Sequence, residues 1–139
     1  MKALLIDIDN TVAPHHLPVV IPEIAAWLAG LPAAGFKVRF VSNNWHDDIF
    51  DRAAALGFDV TPRAGKPLPF GFLRAARALG VRARECAVIG DQIFTDILGG
   101  NLVGALTVLV APLTNSDLPH TLVLRRIERV IMARRAPRS

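Results

Sequence analysis

The stretch that decides the fold is Ala3-Leu4-Leu5-Ile6-Asp7-Ile8-Asp9-Asn10-Thr11, ALLIDIDNT. Four apolar residues run straight into two aspartates one residue apart. An unbroken apolar tetrapeptide fits a strand covered on both faces, as in a parallel sheet. Carboxylates beside such a strand are costly unless something compensates them. Asp7 and Asp9 leave an extended chain on the same side, so the strand end holds two acids together.

The same pattern recurs along the chain. Apolar runs at Ala3 to Ile6, Val38 to Val41, Phe58 to Val60, Ala87 to Ile89 and Leu106 to Val110 predict five strands. Between them, apolar residues fall at helical spacing. Ile24, Trp27, Leu28 and Leu31 follow Pro22 and stop before Gly35; Ile49, Ala53 and Leu56 stop at Gly57. Phe72, Ala76 and Leu79 follow Pro67 and Pro69 and stop at Gly80; Ile93, Ile97 and Leu98 open a helix that ends near Gly104. A fifth helix is expected from about Pro119 to Ala133. Alternation of this kind predicts a doubly wound α/β sheet.

A chain of 139 residues with 52% apolar content has room for one domain with a real core. The expected division is a core over 1–118 and a basic helix and tail over 119–139, belonging to the same domain. No apolar run approaches the ~18 residues of a membrane span. Met1 to Ile6 meets Asp7 too early for a signal peptide. The single Cys86, in an apolar stretch, excludes a disulfide framework and reads as a core thiol. A reducing, cytoplasmic compartment is expected.

Charge is unevenly placed. Leu122 to Ser139 holds six arginines and one glutamate, a net of +5 in a chain whose total is +4. Leu122, Ile127, Val130 and Ile131 form an apolar stripe among Arg125, Arg126, Arg129, Arg134 and Arg135. This pattern predicts a basic amphipathic helix suited to an anionic membrane surface, and equally a solvated face over a docked stripe.

Doubly wound sheets bind ligands outside the carboxyl ends of their strands. Those positions carry Asp7, Asp9 and Thr11; then Ser42, Asn43 and Asn44; then Asp91, with Asp96 just beyond. Lys66 stands in the loop RAGKPLP after the third strand. Unit charges about 4 Å apart repel by ~4 kcal/mol at an effective dielectric of 20. Four clustered carboxylates therefore need cations among them, or protons. Lys66 supplies one charge; a hard divalent ion such as Mg²⁺, with oxygen ligands, supplies the rest. No His/Cys cluster has zinc spacing.

The segments DIDNT, VSNN, GKP and GDQIFTD resemble the four signature motifs of haloacid-dehalogenase-superfamily (HAD) phosphatases, in order, over residues 3 to 112. Through DIDNT, SNN, GDQ and TDILGGN the chain is more closely similar to the YqeG-like, class IIIA branch, which resembles phosphatidylglycerophosphate phosphatases of mitochondria and plastids. The resemblance implies a three-layer Rossmann-like fold and a Mg²⁺-dependent phosphomonoester hydrolase. Asp7 would be the nucleophile and Asp9 the acid and base, its backbone carbonyl also binding Mg²⁺. Asp7, Asp91 and Asp96 would complete the metal site. Ser42 and Lys66 would stabilise the transferring phosphoryl group. Thr11 would shape the first loop, and with Asn43 and Asn44 it completes the substrate-binding candidates.

Only 32 residues separate Asp9 from Ser42, and 23 separate Ser42 from Lys66. A helix and a strand use most of each gap, so no cap domain of at least ~50 residues is expected. An open site suits a large or surface-displayed substrate. With the basic tail, this points to a lipid phosphomonoester such as phosphatidylglycerophosphate and to peripheral contact with the inner face of the membrane. Rival substrates are soluble sugar, nucleotide or protein phosphates. A non-catalytic RNA- or ribosome-docking module is the other class, disfavoured because every residue the chemistry needs is present. A homodimer is open, since capless relatives often complete their sites through partners. His15 and His16 read as a polar pair in the Pro14–Pro22 loop, and Trp45 as a packing residue.

Overall fold

The computed structural model describes residues 1–9, 11–12, 21–110, 127, 129–131 and 133. Asn10, His15, His16, Leu122 and the arginines at 125, 126, 134 and 135 lie outside them. The elements run β1 (Ala3–Ile6), α1 (Pro22–Gly30), β2 (Lys37–Val41), α2 (Asp48–Ala55), β3 (Val60–Thr61), α3 (Phe70–Ala78), β4 (Cys86–Gly90), α4 (Leu98–Leu102) and β5 (Leu106–Leu109). A 3-10 turn at Ala83–Glu85 leads into β4, and a π turn at Ile93–Ile97 leads into α4.

The five strands form one parallel sheet in the order β3-β2-β1-β4-β5. The apolar run that opens the chain becomes its centre. Alternate side chains of β1 enter two separate cores, which is why the run shows no polar position. Leu4 and Ile6 pack with Ile24, Leu28 and Phe40 on one face. Ala3 and Leu5 pack with Phe72, Ala75 and Val88 on the other. Each large apolar side chain so buried contributes ~1.5–3 kcal/mol.

This strand order reverses direction between β1 and β4. From β1 the chain moves outward to β2 and β3, then returns to the far side of β1 as β4. The crevice for a ligand therefore lies outside the carboxyl ends of β1 and β4. In register, Ile6 pairs with Phe40 and Ile89, so the residues after all three strands emerge at one level.

Strand ends differ from expectation by a residue or two, and two differences have a physical cause. The third strand is only Val60–Thr61. Phe58 precedes it and is half-buried, its ring edge-on to Phe40 with centroids 6.0 Å apart. The apolar character there serves packing, not the sheet ladder. The fourth helix opens as a π turn, and the widened turn carries Asp96 into the interior.

At the C-terminal end, Ile127 and Ile131 are buried in the first core and Val130 packs against it, while Arg129 is exposed. The described part of the apolar stripe is thus occupied by the domain itself. Among the described residues, no helix is long and apolar enough to cross a membrane. Cys86 is fully buried, and burial raises its thiol pKa to about 11, as suits a core residue.

Candidate active site

The β1 ladder runs one residue past the strand. The Asp7 amide donates to the Ile89 carbonyl at 2.9 Å, which seats Asp7 beside the end of β4. Asp91 follows that strand directly, and Asp96 returns from the π turn. One carboxylate oxygen from each of Asp7, Asp91 and Asp96 lies within 4.8 Å of the others. Such closeness requires compensation, and Lys66 provides part of it. Its Nζ donates to Asp7 Oδ1 at 3.0 Å, Asp96 Oδ1 at 2.6 Å and the Val41 carbonyl at 3.0 Å. All three ammonium hydrogens are used. Lys66 and Asp96 are both buried, so their charges are held away from water.

Asn43 fixes that lysine through its backbone. Its Oδ1 accepts from the Lys66 amide at 2.8 Å, and its Nδ2 donates to the Lys66 carbonyl at 3.1 Å. Ser42 is buried at the end of β2, its amide donating to the Thr61 carbonyl. Its Oγ accepts from the Asn44 amide at 3.0 Å, and Asn44 Oδ1 accepts from the His46 amide at 2.7 Å. Consecutive side-chain-to-backbone turns of this type hold a polar loop without sheet pairing. The Thr11 hydroxyl lies 3.4 Å from both Asp7 Oδ2 and Asp91 Oδ1, between the two acids.

Gly90 explains how Asp96 reaches this centre. A Cβ at Gly90 would overlap the Asp96 carboxylate, so the last position of β4 has to be bare. Burial pushes the Asp7 carboxyl up to about 7, against the opposing pull of Lys66, with Asp96 and Asp91 adding to the rise. Asp91 is raised above the usual carboxylate range, first by burial and then by Asp96. Burial opposes the charge on Lys66, yet Asp7 and Asp96 outweigh it and hold the ammonium above its ordinary value. Burial is the largest cause of both carboxyl shifts, and a cation at the cluster would oppose them. Three hard oxygen donors at this spacing fit a divalent cation such as Mg²⁺.

A cavity of about 290 Å³ opens at these strand ends, lined by Asp7, Asp9, Ser42, Asn43, Asn44, Lys66, Gln92 and Thr95. A larger hollow of about 430 Å³ beside α1 and Ile131 has no titratable side chain in its lining. The structure thus brings six of the expected residues to one pocket, with Asp91 and Asp96 in the cluster around Asp7 and Thr11 buried between the acids. The side chain of Asp9 takes a different direction from the cluster. Its Oδ1 accepts from Arg52 Nη1 at 2.9 Å.

Arg52, Gln92 and Thr95 were not expected. Gln92 and Thr95 lie inside GDQIFTD, and both line the cavity beside the π turn. Arg52 is a helix residue outside every motif, and no spacing signal connects it with Asp9.

Comparison with known proteins follows this geometry. The family model for HAD-hydrolase-like proteins matches residues 63–123. The chain is 36% identical over 133 residues to the probable phosphatase YqeG of Bacillus subtilis, covering 96% of this chain and 77% of that protein. It is also 36% identical over 143 residues to the chloroplastic phosphatidylglycerophosphate phosphatase 1 of Chlamydomonas reinhardtii, covering 96% of this chain. It spans 53% of that algal protein's length. Among solved structures, the HAD phosphatase of Thermococcus onnurineus aligns with TM-score 0.66 at 23% identity, over 81% of this chain and 58% of that one. The deoxy-D-mannose-octulosonate 8-phosphate phosphatase of Haemophilus influenzae aligns with TM-score 0.71 at 16% identity, over 96% and 88%. These two show the fold.

Proposed function

We propose a mechanism and a substrate from one premise: the chain belongs to the HAD-like hydrolases and is a phosphoric monoester hydrolase. The observation that carries the mechanism is Asp7, at the end of the central strand, bonded to Lys66 and facing the open pocket. A carboxylate oxygen of Asp7 attacks phosphorus, and the bond to the leaving alkoxide breaks. Asp9 gives that alkoxide its proton. In the second step Asp9 takes a proton from water, the water oxygen attacks the aspartyl-phosphate, and Asp7 leaves as a carboxylate with phosphate released.

Asp7, Asp91 and Asp96, with the Asp9 carbonyl, would hold Mg²⁺. Bound there, the ion supplies positive charge that offsets the carboxylates and the phosphate. Lys66 bridges Asp7 and Asp96, offsets their repulsion, and would orient the nucleophile through Oδ1. Ser42, at the end of β2 and in the pocket lining, would hydrogen-bond a phosphoryl oxygen. Protonation of Asp7 would remove the nucleophile, so neutralising the cluster is a condition of the reaction.

The proposed substrate is phosphatidylglycerophosphate or a closely related lipid phosphomonoester, taken by a site without a cap domain. The named activity of the algal relative supports this, and so does the rim of the pocket. Three loops each deliver a polar lining residue followed by exposed apolar ones. Trp45 follows Asn44, Leu68 stands two residues past Lys66, and Ile93 and Phe94 follow Gln92. Trp45 is 72% exposed and Phe94 is 79% exposed. Large apolar side chains around a charged pocket suit a substrate whose phosphate enters while its lipid body stays at the rim. Arg63 stacks 5.0 Å above Trp45, pairing a cation with an interfacial aromatic. The C-terminal arginines would add attraction to an anionic leaflet, ~1 kcal/mol per residue close to the surface.

The test is Mg²⁺-dependent phosphate release from phosphatidylglycerophosphate in mixed micelles, against soluble sugar, nucleotide and peptide phosphates. The lipid phosphate should give the highest kcat/KM, and Asp7→Asn should abolish turnover of all of them. Equal turnover on a soluble ester would overturn the substrate, and activity retained by Asp7→Asn would overturn the mechanism.

A further inference from the structure

Arg52 sits on α2, outside every motif, with its side chain 17% exposed. Nη1 donates to Asp9 Oδ1 at 2.9 Å, while Nη2 is buried without a hydrogen-bond partner among the described residues. A guanidinium carries five N–H donors in a rigid planar fork. Native structures rarely leave a buried donor unmatched, and such a group calls for an explanation. A role limited to fixing Asp9 would use one arm of the fork and leave the other unexplained.

The chemistry of Asp9 gives the second arm a place. The acid that protonates the leaving oxygen must touch it, so the leaving alcohol emerges past Asp9. Arg52 stands one hydrogen bond beyond that carboxylate. An anionic group a few bonds along the leaving alcohol would come within its reach, and Nη2 can donate a charge-assisted hydrogen bond to a phosphodiester oxygen. Lys66 is saturated by Asp7, Asp96 and the Val41 carbonyl, and Arg63, exposed in the same loop, is stacked on Trp45.

We infer that Arg52 is a specificity-determining residue: its Nη1 positions Asp9, and its Nη2 binds a phosphodiester carried by the leaving alcohol. Substrate entry turns the guanidinium about its Asp9 contact and gives the unmatched donor its acceptor. The inference rests on the proposed phosphomonoesterase reading and specifies its substrate as a phosphomonoester with a second anion on the leaving group.

Two soluble probes test this without any lipid. One is glycerol 3-phosphate. The other is glycerophosphoglycerol phosphate, in which the same leaving alcohol carries a phosphodiester. The wild type should prefer the second. Arg52→Gln should lose roughly 10- to 100-fold in kcat/KM on the diester-bearing probe, mainly through KM, and several-fold less on glycerol 3-phosphate. Arg52→Lys, which keeps the charge but not the fork, should fall between and guards against a folding defect in the first variant. Equal losses on both probes, or an unchanged selectivity ratio, would overturn the inference. A failure of the lipid reading alone would appear elsewhere, as no advantage of the acylated substrate over its soluble headgroup.

Discussion

Removing Lys66 isolates what holds the site together before any substrate or metal binds. Its ammonium stands 3.0 Å from Asp7 and 2.6 Å from Asp96, and all three groups are largely shielded from water. At an effective dielectric of 20, each pair attracts by about 5–6 kcal/mol. Desolvation of the buried ions cancels several kcal/mol of that in the intact protein. In Lys66→Met the attraction disappears while two carboxylates remain buried with Asp91 beside them. Breaking a buried pair from one side typically costs about 3–5 kcal/mol. For a domain of this size that corresponds to a melting temperature lower by roughly 10–20 °C. The assay is thermal and denaturant unfolding of the metal-free variant beside the wild type. Added Mg²⁺ should return part of the loss, because a cation at the cluster replaces the missing charge. The deficit should also shrink towards pH 5, where the acids take up protons. A metal-free variant that melts within about 2 °C of the wild type, with no response to Mg²⁺, would refute the claim that Lys66 holds the cluster.

Other outcomes follow from the same geometry. In the metal-free wild type, Asp7 titrates at about 7 in the folded state against an ordinary 3.8, and Asp91 is also raised. A raised acid contributes stability at low pH that is lost as pH climbs through the folded value. Unfolding free energy should therefore fall by roughly 2–3 kcal/mol from pH 5 to pH 8, and saturating Mg²⁺ should flatten the slope; a flat metal-free profile measured by urea unfolding would contradict it. Gly90→Ala should displace Asp96 from Lys66 and weaken Mg²⁺ binding, since the added Cβ overlaps the Asp96 carboxylate; calorimetry showing unchanged Mg²⁺ affinity would count against that packing. Replacing both Trp45 and Phe94 by Ser should raise KM on micellar lipid phosphate by roughly tenfold, from lost apolar contact, while KM on glycerol 3-phosphate stays the same. A parallel rise on both substrates would mean the rim shapes the pocket and does not meet lipid.

How far the sequence carries depends on which interactions are local. The strand end at Asp7 was legible because the apolar run and the acids adjoin, and strand-end placement follows from topology alone. Lys66 was legible only as a member of an ordered set of motifs; its three acceptors come from β1, β2 and the π turn, so no local pattern encodes them. Asp96 shows the limit more sharply. Its spacing from Asp91 suggested a contact, yet its burial depends on a widened helical turn and on a bare glycine at the end of β4. Neither feature has a periodic signature. The third strand was misplaced because Phe58 packs on Phe40, and apolarity alone does not separate packing from pairing.

The C-terminal segment and Arg52 extend that point from structure to function. The arginine-rich helix drew attention because its composition is conspicuous, but Ile127 and Ile131 are occupied in the core. The described apolar residues there are taken up by the core, whereas Trp45, Ile93 and Phe94, next in sequence to pocket-lining residues, are exposed. Arg52 is inconspicuous in sequence, one polar residue on an ordinary amphipathic helix, and yet it touches Asp9, the proposed acid. Family motifs specify the reacting atoms because those atoms are common to all members. Groups that distinguish one leaving alcohol from another have no such constraint on their spacing, and they are found through the side chains that contact the motif residues from outside.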